Sequence, residues 1–404
     1  MVIPLAAVTT TDPKTEERSE PCAPAAVSEV PIRASQMPAG TGLGEWFDRQ
    51  SRQLFIMPAV IMIVIFSIFP LIASAILALS RIRFKAGGYG IRFVGFKNFE
   101  KQIFGSEQFH FLGTFKGMSM LGWGVAIVVG ALLVWWLITY ARGKIWIPGL
   151  IGRLITAGTL FGITLLFAAT LFSGTHFGTL GVTLFYVFIG CTVQFVIGLG
   201  LAVLCAQPIR GRTFFRVVFF LPLMITPIGI GYAFRMLADT TKGPFSPVWQ
   251  WFGLGDFAWA SDPWAARIFI VIGDSWQWIP FIFVVLLAAL ENVSRDQVEA
   301  GHVDGAGSFQ IFREITWPQI APVAATVMLI RVIEAFKLVD LPNIMTAGGP
   351  GIATESMTLH AFFSWRAPDL AQSAAISYLL LFVTVVLCVS FFNLVVLKRR
   401  AAMA

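Results

Sequence analysis

Hydrophobic positions in this chain run together in long blocks and show no two-residue alternation. Eight stretches of about 20 mainly apolar residues, the length that crosses a hydrocarbon core, lie at roughly 54–79, 121–140, 150–172, 181–205, 214–237, 267–290, 318–338 and 373–397. Each predicts a transmembrane helix. The seventh is the most polar, because Arg331, Glu334 and Lys337 lie within it. Residues 1–53 are different: six prolines, several Ser, Thr and Glu, and no sustained apolar run, which predicts a mostly disordered tail. The mildly apolar Met1–Val8 is too short, and lacks the basic start, for a signal peptide.

Composition agrees. Of 404 residues, 57% are hydrophobic and 13% charged, against about 25% charged in soluble domains, so a soluble globule is excluded. The net charge of +7 comes from 29 Lys and Arg against 22 Asp and Glu, without the contiguous basic block that nucleic acid would need. Cys22, Cys191, Cys205 and Cys388 form no CxxC, and three of them lie in apolar stretches, which makes them small apolar fillers. Histidines occur at 110, 176, 302 and 360, scattered and without HExxH; GxSxG and GxxxxGK[ST] are also missing. The sequence therefore offers no catalytic, metal or cofactor-binding residues, and no P-loop with which to bind ATP itself.

An even number of spans puts both termini on one side. With the N-terminus inside, the inner segments hold 16 of the 29 Lys and Arg. The 80–120 loop opposes this with seven, but the outer loops after residue 172 are nearly free of them. Both ends are therefore expected in the cytoplasm.

The most informative polar segment joins the sixth and seventh spans, at 291–317. It reads Glu299-Ala300-Gly301-His302-Val303-Asp304-Gly305-Ala306, then Ile315-Thr316-Trp317-Pro318. Small residues at 300, 301 and 305–307 allow close approach of another protein. Gly305 and Gly307 are expected to break a helix in two, Ser308 is a candidate N-cap, and Phe309, Phe312 and Ile315 recur at helical spacing before Pro318 opens the next span. A short exposed helix with small and apolar faces suits a partner's groove; an ordinary amphipathic connector has the same pattern.

This segment resembles the EAA loop of membrane subunits of binding-protein-dependent ABC importers: Glu299, Ala300, Gly305, Ile315 and Pro318 hold matching positions, with Gly301 for the second Ala and Trp317 for Leu. Phe93–Phe99, Gly211–Arg216 with Phe220-Leu221-Pro222, Trp276–Phe281, Phe336–Asp340 and Thr346–Pro350 resemble segments of carbohydrate importers of the maltose permease kind. The resemblance implies an all-α membrane protein of about eight helices with the type I ABC importer fold. Residues 54–120 would be the first helix and outer loop, 173–397 the core permease domain, and 398–404 a cytoplasmic tail. The spans at 121–172 form an extra hairpin, read as peripheral packing against lipid. Implied partners are a second permease, two ATPase subunits carrying ATP and Mg, and an extracytoplasmic solute-binding protein. Coupling residues would be Glu299, Ala300, Gly301, Asp304, Gly305, Ala306 and Phe309; Gly348, Gly349 and Pro350 would form an outer turn.

A charge at a membrane-helix centre costs roughly 2.5–3.5 kcal/mol, so embedded ionisable residues need partners or a purpose. Glu334 can pair with Arg331 or Lys337 on nearly one helix face. These residues, with Asp340, Asp274, Trp276, Gln277 and Trp278, are either a structural ladder with interfacial aromatics or a polar wall for a carbohydrate. Arg331 and Lys337 also leave open a glycerol phosphate or an acidic sugar. Outside this class stand a membrane enzyme for lipid-linked sugars and an ion-coupled secondary transporter.

Overall fold

The computed structural model describes residues 55–85, 88–114, 118–141, 147–171, 177–207 and 211–394. The tails expected at 1–53 and 398–404 lie outside them. Contacts divide the chain into two units, residues 1–65 and 66–404, and the packing below is that of the second.

The architecture is helical, as the apolar runs predict. Helix α1 spans Phe55–Ala78. A β-hairpin follows, β1 (Ser80–Lys85) against β2 (Gly88–Phe93), then the short helices α2 (Lys97–Ile103) and α3 (Gln108–Leu112). The added hairpin is α4 (Met120–Ala141) and α5 (Ile147–Leu171). Next come α6 (Thr179–Ala206), α7 (Arg212–Phe220), α8 (Pro227–Ala238), α9 (Ser246–Trp251) and α10 (Pro263–Glu291). The chain continues through α11 (Arg295–Val303), α12 (Ser308–Phe336), α13 (Asp340–Thr346), α14 (Met357–Arg366) and α15 (Leu370–Phe392).

Among the described residues, seven helices are long and apolar enough to cross a membrane by themselves, and α7 and α8 form a bent pair that adds an eighth if the two are one span. The span expected at 214–237 is not one continuous helix, because its two arms are bent by 101°. Two prolines cause the break. Pro227 has no N–H to donate and drives Thr226 into an extended conformation (φ −66°, ψ 143°), while Leu221–Met224, containing Pro222, tightens into a 3₁₀ turn. The Thr226 hydroxyl then caps α8, accepting from the Gly229 N–H at 3.3 Å. The arms reach opposite ends of the bundle, because Arg216 pairs with Glu291 whereas Arg235 donates to the Ile344 carbonyl at 2.9 Å.

Among the described residues the most extensive helix pair is α6 on α10. A Cβ at Gly198 would lie 2.8 Å from Ile282 Cγ2, so only glycine permits this approach, as is common between membrane helices. Around it Ala202, Ile282, Phe283, Leu286 and Val327 form one core cluster. The extra hairpin is less peripheral than expected. Leu166 and Phe167 of α5 pack into a core cluster with Leu184, Phe336 and Leu387, and Asn393 Nδ2 donates to Thr156 Oγ1 at 3.4 Å. Its other helix, α4, leaves most of its apolar surface exposed.

Candidate functional site

At one end of the bundle, α11 and the start of α12 form a compact corner. Gly305 lies at φ +79°, and two hydrogen bonds enclose it: Ala306 N–H to the Gly301 carbonyl at 3.0 Å and Gly305 N–H to the His302 carbonyl at 3.1 Å. This is a Schellman ending, which needs a left-handed residue just past the helix and therefore favours glycine. Gly301 faces inward, where a Cβ would be 3.0 Å from Ile315 Cδ1; glycine in place of the second Ala of the loop pattern thus brings α11 closer to α12. Ala306 is half-buried, while Glu299, Ala300, Asp304 and Gly305 are exposed, with Val303 at 87% and Phe309 at 76%. Two expected details change. Gly307, not Ser308, occupies the N-cap position, and Ser308 makes no capping bond. Nor does Pro318 open the span, because α12 already runs from Ser308 through a π turn at Phe312–Thr316.

Inside the bundle, three helices contribute a closed polar cluster. Arg331 of α12 donates from Nη2 to Asp274 Oδ2 of α10 and, at 2.5 Å, from Nε to Gln194 Oε1 of α6. Gln194 Nε2 completes the ring, donating to the same Asp274 oxygen at 2.8 Å, and the Trp278 indole lies 4.8 Å from the guanidinium. Arg331, Asp274 and Gln194 are 1%, 3% and 0% exposed, so within this chain they offer almost no surface to a solute. Arg331 therefore pairs across helices with Asp274 rather than with Glu334, which instead accepts from Lys337 Nζ at 2.6 Å. Sequence reasoning missed Gln194; the available signal was a lone amide inside an otherwise apolar span.

Apart from Trp278, which lies against Arg331, the other solute-wall candidates do not gather into one site. Gln277 is buried, Trp276 is exposed beside the Phe234 ring (centroids 5.7 Å apart), and Trp278 and Asp340 are half-buried. At the opposite end from α11, Gly348 (φ +84°), Gly349 and Pro350 make a turn tied back by Thr354, whose hydroxyl donates to the Gly349 carbonyl at 2.9 Å.

Comparison with known proteins agrees with this architecture. Residues 194–401 match the family described as binding-protein-dependent transport system inner membrane component. The trehalose/maltose transport system permease protein of Thermococcus litoralis is 32% identical over 210 residues, 52% of this chain and 70% of that one. The maltodextrin transport system permease protein of Streptococcus pneumoniae is 26% identical over 238 residues, 55% of each chain. Among solved structures, a chain of a bacterial alginate ABC transporter, crystallised with its alginate pentasaccharide-bound periplasmic protein, superposes with a TM-score of 0.55. It is 15% identical, with 87% of this chain and 96% of that chain covered, a likeness of fold. The family match begins at Gln194 of the buried polar cluster and takes in the whole α11–α12 corner, leaving the added hairpin outside. The chain belongs to the binding-protein-dependent transport system inner membrane components, as a multi-pass permease subunit and not an enzyme.

Proposed function

We propose that this chain is the permease subunit of an ATP-driven importer for a neutral carbohydrate in the bacterial inner membrane, with both termini cytoplasmic. It works beside a second permease, two ATPase subunits that carry ATP and Mg, and an extracytoplasmic solute-binding protein. The observation that carries this reading is the α11–α12 corner, which is rigid on its inner side through Gly301, Ile311 and Ile315. On its outer side it exposes Glu299, Val303, Gly305 and Phe309. Val303 and Phe309 are apolar knobs flanking a left-handed turn, a form that fits a groove on an ATPase subunit. Because α12 runs without a break from this corner to Arg331, displacement of the corner moves the helix that holds the buried polar cluster.

The carbohydrate class is supported by the trehalose/maltose and maltodextrin permeases it resembles. A neutral solute is favoured over a phosphate or an acidic sugar because Arg331 and Lys337, the cations that kept those open, each already hold a carboxylate partner.

The test is Gly305→Trp in the reconstituted complex. A Cβ at Gly305 meets nothing within 4 Å in this chain, so its own packing is spared apart from about 1–2 kcal/mol for the left-handed backbone. Expected is ATP hydrolysis without solute uptake, with uptake retained in Gly305→Asn, because asparagine tolerates the conformation. Normal uptake by Gly305→Trp would overturn the coupling role.

A further inference from the structure

Histidines scattered in the sequence are brought together by the fold. His110 on α3 and His360 on α14 stack with ring centroids 4.0 Å apart, at the end of the bundle opposite the α11–α12 corner. Glu355, from the loop entering α14, lies between them. Its Oε1 is 2.8 Å from His360 Nδ1 and 3.0 Å from His110 Nε2. One donor atom from each residue lies within 4.8 Å of the others.

Three observations make this more than a hydrogen-bonded cluster. First, the carboxylate is held in place. Its neighbours are tied on both sides: the Ala353 carbonyl accepts from Arg267 Nε (2.6 Å), the Thr354 carbonyl from Tyr186 (3.2 Å), and Ser356 Oγ donates to the Leu338 carbonyl (2.6 Å). Second, the cluster leaves a ring nitrogen unsatisfied. His110 Nε2 lies 3.0 Å from the carboxylate oxygen without hydrogen-bond geometry and makes no hydrogen bond, although a buried ring nitrogen normally does. Third, Glu355 supplies a buried carboxylate oxygen, 4% exposed, placed between the two rings.

We propose that His110, His360 and Glu355 bind a divalent transition-metal ion of the zinc class. Two imidazoles and one carboxylate are zinc's ordinary donors, with bonds of about 2.0–2.2 Å that put tetrahedral ligand atoms about 3.3 Å apart. The observed 2.8 and 3.0 Å need to open by only a few tenths of an ångström. The half-buried His110 side, 28% exposed, leaves the fourth position accessible to water. The ion would clamp α3, which precedes the extra hairpin, to the loop and helix that follow the Gly348–Pro350 turn. This site stands independently of the solute and of ATPase coupling.

The test is metal stoichiometry of the full chain, co-purified with its partners in detergent on a tag free of histidine. After stripping with a chelator, equilibration with zinc chloride and desalting, mass spectrometry should find about one zinc per chain. His110→Gln, His360→Gln and Glu355→Gln should each lose it, with partner co-purification reporting that the variant still folds. Wild-type protein that retains no zinc overturns the proposal, whatever the variants do. So does equal zinc in wild type and all three variants.

Discussion

Replacing Arg331 by Met removes the only cation in the buried cluster while leaving Asp274, 3% exposed, with one remaining donor, the Gln194 amide at 2.8 Å. Breaking a buried ion pair from one side costs about 3–5 kcal/mol, because the surviving charge is neither solvated nor paired. Asp274→Leu should cost less, since the stranded guanidinium keeps Gln194 Oε1 at 2.5 Å and the Trp278 ring at 4.8 Å. The double variant removes both charges, orphans Gln194 Oε1 and leaves Gln194 Nε2 only Ser275 Oγ at 3.4 Å, a loss of about 1–3 kcal/mol. It should therefore be more stable than Arg331→Met alone, with a coupling energy of about 2 kcal/mol or more. The assay is unfolding in mixed micelles titrated with SDS, followed by tryptophan fluorescence. If the double variant loses the sum of the two single losses, the residues are not coupled, and the cluster does not hold α6, α10 and α12 together as described.

Two further variants test the packing. Gly198→Val places a Cβ 2.8 Å from Ile282 Cγ2 and should cost about 1–3 kcal/mol in the same assay, whereas Gly200→Val, with nothing within 4 Å, should be near neutral; equal losses would contradict the close α6–α10 approach. Leu166→Ala on α5 should cost about 2–4 kcal/mol and Leu132→Ala on α4 less than about 0.5, because Leu166 is 8% exposed and Leu132 is 57% exposed; a reversed order would mean that α5 is not part of the core.

The spans were legible because twenty apolar residues in succession have few alternatives to crossing a membrane. The bend between α7 and α8 was not, since both arms are equally apolar and hydropathy does not register direction; Pro222 and Pro227 were in view but each is tolerated at a helix start. The break at Gly305 could be anticipated from two nearby glycines, though not its Schellman form. Neighbours along one helix offered Glu334 to either Arg331 or Lys337; Lys337 takes it, and the partners of Arg331 come from α6 and α10. Sequence spacing carries no information about which distant helix a buried cation will face. The same limit hid the meeting of His110 with His360, which depends entirely on how α3 folds back over α14.

The corner between α7 and α8 also constrains what can surround this subunit. A straight helix dissolves in hydrocarbon because it consumes its own backbone polarity. At 221–226 that self-sufficiency fails: Pro222 and Pro227 donate nothing, and the chain turns through 101°. Irregular backbone at membrane depth is tolerated only against protein or a water-filled space. The flank carrying exposed Met224, Ile228 and Tyr232 is thus not an oily exterior despite its side chains, whereas α4, unbroken from Met120 to Ala141, can be one. Of the added hairpin, α4 is the face open to lipid, while the bent pair calls for shelter from it.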